Sequence, residues 1–154
     1  MYKRRTKPLV SADYIVGLTD GEGCFYVRIQ PPYNKFGGAR IQLNFFIKVQ
    51  QADKAMLEKV KNALACGKVY FQKENRPNHS QCYRYTVSSH KDINGIIIPF
   101  FQKHCLQGET KQSNFKLFCK IAKLTTHGEH LSQKGLNKII NLKSQMNLRT
   151  RVVR

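Results

Sequence analysis

Two acidic residues and three glycines are concentrated in residues 14–23 of the chain. Carboxylates are the side chains that hard divalent cations such as Mg²⁺ prefer, and Glu22 stands just before a strand that is predicted to begin at Cys24. Taken alone, however, the stretch is also typical of an ordinary capped helix followed by a turn. The rest of the chain must therefore decide between a site and a simple turn.

A short helix is predicted to carry these residues. Ser11 is placed to cap it, because its hydroxyl can accept an N–H group of the first turn. The helix is expected to end past Gly21, since glycine is the usual residue at which helices stop. Gly17 and Gly21 are four apart and lie on the same face. Each costs roughly 1 kcal/mol relative to alanine, and a face without side chains lets a second backbone approach closely.

The charge of the chain indicates a polyanionic partner. It carries 27 Lys and Arg against 9 Asp and Glu, a formal net charge of +18 in 154 residues. Such an excess favours nucleic acid before a membrane surface. No run approaches the roughly 18 apolar residues of a membrane span, and no apolar stretch of a secretory signal follows the basic N-terminus. We therefore expect no membrane association.

A single domain is predicted over residues 1–154, with a basic lead-in over 1–10 and a frayed tail over 147–154. The five cysteines are odd in number and widely spread, which favours reduced thiols in a reducing compartment. A chloroplast, a mitochondrion and a bacterial cytoplasm all satisfy that condition, and the sequence leaves the choice open.

Four strands are predicted, two with strict alternation over residues 24–30 and 40–50 and two in a hairpin over 68–73 and 81–88. The first two strands each have one apolar face and one face of Arg, Lys, Gln and Asn without any acid. These polar side chains carry the donors and acceptors that read base edges in a major groove. The DNA-binding candidates are Arg28, Gln30, Arg40, Gln42, Asn44, Lys48, Gln72 and Arg84.

Further helices are predicted from helical spacing and capping signals. Asp53 is expected to cap the first of them, and Ser89 and Asp92 to form a capping box for the second. Pro99 is expected to kink or end that second helix. The last two helices are predicted over 112–124 and 132–146. The order is therefore αββαββα, followed by further helices.

Residues 15–23, I-V-G-L-T-D-G-E-G, resemble the LAGLIDADG motif of the homing endonucleases. Two later segments also resemble that family, namely Q-G-E-T-K-Q-S-N-F at 107–115 and G-L-N-K-I-I-N-L-K-S-Q-M-N at 135–147. The resemblance thus covers most of the chain. It implies an α+β fold of αββαββα order, in which a curved antiparallel four-stranded sheet forms a saddle over DNA, with extra C-terminal helices.

The resemblance also implies a metal site and a dimer. In that family the last acid of the motif binds the catalytic divalent metal, which assigns this role to Glu22, with the Gly21 carbonyl as a neighbouring ligand and Mg²⁺ or another divalent cation as the metal. Asp20 corresponds to the structural acid of the motif. A single copy of the motif is present, and single-motif members are homodimers. The expected dimer face consists of Tyr14, Gly17, Leu18 and Gly21.

A lysine and a glutamine commonly assist the metal in this family. Lys111 lies in the matching loop, which is predicted to precede the helix at Gln112, although a solvated surface lysine explains it about as well. Gln50 lies at the end of a polar strand face, whereas a strict offset from the motif points to Val49 instead. The catalytic candidates are Glu22, Gly21, Lys111 and Gln50.

The leading hypothesis is a homodimeric, intron-encoded homing endonuclease that cleaves both strands of a long pseudo-palindromic DNA target by Mg²⁺-dependent hydrolysis. Two alternatives remain open. One is an RNA maturase that assists splicing of a group I intron, so that intron RNA stays a possible partner. The other is a DNA-binding regulator without catalysis, against which the presence of Glu22 argues.

Overall fold

The computed structural model describes residues 10–32 and 37–147. The helices and strands in this part of the chain are α1 (Ala12–Glu22), β1 (Gly23–Gln30), β2 (Arg40–Gln50), α2 (Lys54–Leu64), β3 (Lys68–Gln72), β4 (Cys82–Val87), α3 (His90–Asp92), α4 (Ile98–Lys103), α5 (Glu109–Thr126) and α6 (Gln133–Ser144). The predicted lead-in up to residue 9, the tail beyond 147 and residues 33–36 of the predicted β1–β2 loop lie outside the described residues. None of the described helices combines the length and the apolarity that crossing a bilayer requires.

The four strands form one antiparallel sheet with the order β1-β2-β4-β3. Side chains alternate along each strand. In β2 every second residue from Ile41 to Val49 is buried, and the residues between them, all polar except Phe46, lie on the other face. Helices cover the buried face, and the polar face is open. The predicted α+β class, the αββαββα order and the antiparallel four-stranded sheet are confirmed.

Aromatic rings fill the space between the sheet and its helices. Phe25 of β1 and Phe45 of β2 are both fully buried, with ring centroids 5.2 Å apart. Phe101 of α4 meets Phe25 edge-on at 5.5 Å, and Phe118 of α5 meets it at 5.3 Å. Tilted and edge-to-face contacts of this kind are the preferred arrangements of aromatic pairs. They attach α4 and α5 to the sheet.

Two predicted helix ends are wrong. The Asp53 side chain does not cap α2, because a 3₁₀ turn over Gln51–Asp53 precedes that helix. Of the two outcomes predicted for Pro99, a kink or an end, the end is wrong, because the helix continues to Lys103. A π-helical turn over Ile93–Ile97 comes before α4, so that Pro99 falls in the first turn of α4. The helical backbone runs on from the π-helical turn into α4, so the proline lies where the regular i→i−4 bonding is already interrupted.

The start of α5 also differs from the prediction. The helix begins at Glu109 rather than at Gln112. Lys111 therefore lies in the first helical turn and not in the loop that precedes it. Its side chain is consequently held by a regular element, and the contacts of the preceding residues, described below, explain the earlier start.

Gly23 joins α1 to β1 at a point that has no room for a side chain. A Cβ atom there would lie 2.6 Å from Thr19 Cγ2 and 2.8 Å from the Thr19 carbonyl oxygen. We expect Gly23→Ala to lower the free energy of unfolding by roughly 1–3 kcal/mol, the usual cost of overpacking, in urea denaturation. Gly95→Ala is the control, because a Cβ at Gly95 would meet no atom within 4 Å. An equal loss in both variants would contradict the prediction.

Candidate metal centre and nucleic-acid interface

Glu22 is the last residue of helix α1 and lies where β1 begins. The Ser11 hydroxyl accepts a hydrogen bond from the Tyr14 N–H group at 3.1 Å, so the predicted N-cap is confirmed. The helix continues past Gly21 to Glu22, one residue further than its predicted stop, and Gly23 then opens the strand. The Glu22 residue is exposed. The candidate metal ligand therefore stands at the carboxyl end of a regular helix.

The carboxyl end of α1 has an unfavourable charge distribution. Asp20 and Glu22 both lie in the last turn, which contains no basic residue. Carboxylates are disfavoured at this position, since the carboxyl end of a helix carries partial negative charge. Within residues 10–32 and 37–147, Glu22 forms no ion pair. A cation bound at this end would relieve the repulsion.

Backbone N–H groups compensate the negative charge of Asp20. Its two carboxylate oxygens accept hydrogen bonds from Gln107 N at 2.9 Å and from Gly108 N at 3.1 Å. Both donors immediately precede α5, so Asp20 attaches the start of α5 to the end of α1. This geometry agrees with the structural role that the resemblance implies for Asp20.

Lys111 reaches the same place from α5. Its ammonium group donates a hydrogen bond to the carbonyl oxygen of Gly23, the residue that follows Glu22. Burial raises the pKa of the neighbouring Cys24 thiol, and the positive charges of Lys111 and Arg84 oppose that rise. Both cations therefore lie near the first residues of β1. The structure thus brings the predicted acid and the predicted lysine together.

Gln50 lies further along the sheet. It is exposed at the end of β2, three positions beyond Ile47, which pairs with Gly23. Its side-chain amide donates to the Asp53 carboxylate at 3.4 Å, so it is paired away from the end of α1. Val49 is 8% exposed and faces the core. Of these two alternatives, only Gln50 therefore lies on the open face.

The donor set at the end of α1 suits a hard divalent cation. Glu22 offers a carboxylate, and Gly21 offers a carbonyl in the last helical turn, where carbonyl groups lack intrahelical partners. Mg²⁺ is usually bound through one or two carboxylates, with water and phosphate oxygens completing its shell. Within the described ranges no three His, Cys, Asp or Glu side chains converge on one point. Both oxygens of the nearby Asp20 already accept backbone hydrogen bonds, so Glu22 is the carboxylate that one copy offers to a cation here.

The predicted dimer face of α1 is open. Tyr14 is 42% exposed, and a Cβ added at Gly17 or Gly21 would meet no atom within 4 Å. Leu18 lies beside them and is half-buried. Between Tyr14 and Leu18 on one side and the end of the helix on the other, Gly17 and Gly21 leave a strip without side chains, so a second helix could approach the backbone closely there.

The predicted DNA-binding residues all lie on the open face of the sheet. The pairing register groups them into rows across neighbouring strands. These rows are Gln30 with Arg40, Arg28 with Gln42, Asn44 with Tyr26, Lys48 with Arg84, and Gln72 with Cys82. The row of Gln30 and Arg40 is furthest from Glu22, and the row of Lys48 and Arg84 is close to it. The open face is thus a largely polar surface that begins near the candidate metal centre and is interrupted by the row of Cys24 and Phe46.

Two interactions modify this face near Glu22. The Arg84 guanidinium lies over the Phe46 ring, 4.0 Å from its centroid, which is a cation–π contact. The Lys48 ammonium lies 3.6 Å from the carboxylate of Glu74. The strands themselves carry no acid on this face, as predicted, but Glu74 reaches it from the β3–β4 loop.

Glu74 and its partner Arg76 are the residues that the sequence prediction missed. Strand alternation cannot find them, because they lie between β3 and β4. The available signal was an acid two residues before an arginine, followed by the turn-forming pair Pro77 and Asn78.

Comparison with known proteins identifies relatives of the chain. Residues 15–122 match a family model described as LAGLIDADG endonuclease. A Neurospora crassa protein described as probable intron-encoded endonuclease 3 is 30% identical over 140 residues, which cover 86% of this chain and 25% of that protein. Probable intron-encoded DNA endonuclease 1 of Mycosarcoma maydis is 35% identical over 95 residues, which cover 62% of this chain and 31% of that protein. The chain thus matches about a quarter to a third of the length of these relatives.

Solved structures with the same fold are also similar in sequence. The homing endonuclease I-TnaI superposes with a TM-score of 0.77 and 31% identity, over 90% of this chain and 89% of that chain. The I-LtrWI LAGLIDADG homing endonuclease bound to target DNA superposes with a TM-score of 0.81 and 34% identity, over 92% of this chain and 45% of that chain.

Proposed function

The chain belongs to the LAGLIDADG endonuclease family, and on that basis we propose that it is a site-specific DNA endonuclease. Two copies bind a long pseudo-palindromic target and hydrolyse one phosphodiester bond in each strand with Mg²⁺. The observation that carries this proposal is the exposed Glu22 at the end of a helix with an open glycine face, with Lys111 attached to the next residue.

Two copies are needed because each supplies one carboxylate. If α1 packs against its counterpart through Gly17 and Gly21, the two Glu22 carboxylates meet at the end of the helix pair. Like charges at short range cannot both stay ionised without compensation. Bound cations provide that compensation, and they also offset the negative end of each helix. The Gly21 carbonyls add oxygen ligands of the kind that Mg²⁺ accepts.

A divalent cation held by Glu22 and Gly21 would supply Lewis-acid chemistry, activating water and stabilising the leaving 3′ oxygen. The remaining tasks belong to this chain. The Lys111 ammonium, held by the Gly23 carbonyl, offsets negative charge on the reacting phosphate. Gln50 orients the attacking water after exchanging its bond to Asp53 for the DNA-bound arrangement. Asp20 holds the end of α1 against the start of α5 throughout the reaction.

The open face of the sheet binds the target. Its Arg, Lys, Gln and Asn side chains present the donors and acceptors that distinguish base pairs in the major groove. The net charge of +18 supplies phosphate contacts, which position the protein and make its affinity strongly dependent on salt.

The proposed function is tested by incubating the chain with a plasmid library of candidate target sites. We expect linear product in the presence of Mg²⁺ and none after chelation with EDTA. Binding and cleavage are measured separately, so that recognition without catalysis is visible. If no library member is cut while intron RNA is bound tightly, the maturase alternative replaces this proposal.

Lys111→Met is expected to slow cleavage by roughly 10²-fold with little change in DNA affinity, the lower end of the range for a group that acts on the reacting phosphate or its proton. The measurement is single-turnover cleavage of a cognate duplex with Mg²⁺. Lys120→Met is the matched control, since Lys120 is an exposed lysine of the same helix. Equal cleavage rates for the two variants would mean that Lys111 is a surface lysine without a role in cleavage.

A further inference from the structure

We propose that Arg76, held from the side by Glu74, reads a guanine in the major groove in the part of each half-site nearest the cleaved bond. This inference rests on the proposed function, and it adds a specificity-determining residue outside the strands. Arg76 is the reading group, and Glu74 is a positioning residue.

The geometry of the pair is bidentate. Arg76 Nε donates to Glu74 Oε1 at 2.9 Å, and Arg76 Nη2 donates to Glu74 Oε2 at 2.8 Å. The Arg76 backbone N–H group donates to Glu74 Oε1 as well, at 3.1 Å. The carboxylate thus engages the side edge of the guanidinium through two parallel bonds, the arrangement that gives an arginine–carboxylate pair its strength and fixed orientation.

The loop that carries the pair is cross-linked by its own hydrogen bonds. Glu74 N donates to Gln81 Oε1 at 2.9 Å, and Gln81 Nε2 donates back to the Glu74 carbonyl at 3.1 Å. Across the tip, His79 N donates to the Arg76 carbonyl at 3.4 Å, with Asn78 in the left-handed region at a φ of 62°. Pro77 and Asn78 at the centre of this turn match the sequence preference of a type II turn. Arg76 is therefore ordered before any DNA arrives.

Exposure shows which member of the pair faces outward. The Glu74 side chain is 9% exposed and the Arg76 side chain 65%. Glu74 also lies 3.6 Å from the Lys48 ammonium, so the pair lies over the open face of the sheet. Arg76 keeps the end edge of its guanidinium, Nη1 and the second N–H of Nη2, directed away from the carboxylate.

That free edge matches one base better than the others. Guanine presents two adjacent acceptors, O6 and N7, in the major groove, and a bidentate arginine is the commonest specific contact to it. A guanidinium that is already oriented loses less conformational freedom on binding, which favours recognition. Lysine, a flexible point charge, cannot reproduce the planar fork.

The pairing register indicates where along the target this contact lies. Gly23, next to Glu22, pairs with Ile47, and the tip of the β3–β4 hairpin follows the row of Gln72, Cys82 and Gln50 at the same end of the sheet. Gln30 lies at the other end, seven positions from Gly23, or roughly 23 Å at the usual rise per strand residue. Arg76 therefore reads nearer to the cleaved bond than Gln30 does.

The pair keeps its charges over the working pH range. The hydrogen bonds and the charge of Arg76 lower the pKa of Glu74 to about 2. A carboxylate with a lowered pKa stays ionised above that value, and the bond is lost only as the pH falls through it. The guanine preference should therefore be the same at about pH 6 and about pH 8.

The test is selection of bound duplexes from a randomised DNA library without Mg²⁺, comparing the wild type with Arg76→Lys, Arg76→Ala and Glu74→Gln. We expect a guanine preference at the end of each half-site nearest the cleaved bond, reduced roughly tenfold or more in the arginine variants. Glu74→Gln should relax the same position and leave the others unchanged, apart from the position that faces Lys48, the second cationic neighbour of Glu74. Lys59→Ala, which removes an exposed positive charge from α2, is the control for charge alone and should change no position.

Unchanged base preference in Arg76→Ala would overturn the inference. It would also be overturned if Glu74→Gln relaxed the preference at all positions and lowered the melting temperature, because that result would mean that Glu74 has a purely structural role. Binding is selected without Mg²⁺ and is therefore independent of cleavage. A wild type that selects a DNA sequence but does not cut it when Mg²⁺ is added disproves the nuclease proposal without affecting the inference about Arg76. A wild type that selects no sequence disproves both.

Discussion

Glu22→Gln is expected to abolish cleavage while the dimer and its DNA affinity remain. The amide keeps the size of the side chain but is a poor ligand for Mg²⁺, and one substitution removes the carboxylate from both copies. Metal ions contribute several kcal/mol of transition-state stabilisation, so we expect a loss on the order of 10³-fold or more in single-turnover rate. The measurement is cleavage of a cognate duplex, with binding followed separately by gel shift.

Glu58→Gln is the matched control, because it makes the same chemical change in α2, which packs on the buried side of the sheet. Its rate should equal that of the wild type. Full cleavage by Glu22→Gln would remove the basis of the proposed metal centre. A parallel loss of DNA binding would mean that Glu22 supports the fold rather than the chemistry.

Gly17→Glu is expected to separate the dimer. In one copy the new side chain points into open space, since no atom lies within 4 Å of a Cβ at this position. Across the proposed helix pair it inserts bulk and two like charges where backbones approach. Overpacking costs roughly 1–3 kcal/mol, so we expect the dimer dissociation constant to rise by roughly tenfold to a hundredfold. Sedimentation over a range of protein concentrations measures it.

Gly95→Glu is the control for this variant, because Gly95 is also exposed, also helical and also without neighbours within 4 Å of a Cβ. It should leave both association and cleavage unchanged. A wild type that sediments as a monomer, alone and on its DNA target, would refute the dimer directly. Unchanged association of Gly17→Glu would place the contact on another surface.

The alternation of apolar and polar residues along the chain was sufficient to predict the strands of the sheet and their buried face. In β1 and β2 every second residue is apolar, and the structure buries Phe25 and Phe45 while it exposes Arg28 and Gln42. A strand with such a pattern has one register that buries its apolar side, because a slip of one residue would expose all of it. The polar face was therefore predictable residue by residue, before any pairing partner was known.

Contacts between distant parts of the chain were not predictable in this way. The early start of α5 follows from the hydrogen bonds to Asp20, which lies 88 positions before Gly108. No local signal near Lys111 reports that contact. The same holds for Glu74, whose approach to Lys48 depends on how the β3–β4 loop folds back over the sheet.

In the proposed nuclease, the attachment of α5 to α1 through Asp20 also bears on where the two DNA strands are cut. Asp20 accepts hydrogen bonds from the residues before α5, and Lys111 donates one to Gly23. The Glu22 and Lys111 residues of one copy are therefore held together. In the proposed dimer, the stagger between the two nicks would depend on the crossing angle of the paired helices, whereas base reading would depend on the sheet. Overhang length and recognition would therefore be separable, and changes along the glycine face of α1 would vary the overhang without changing the recognised sequence.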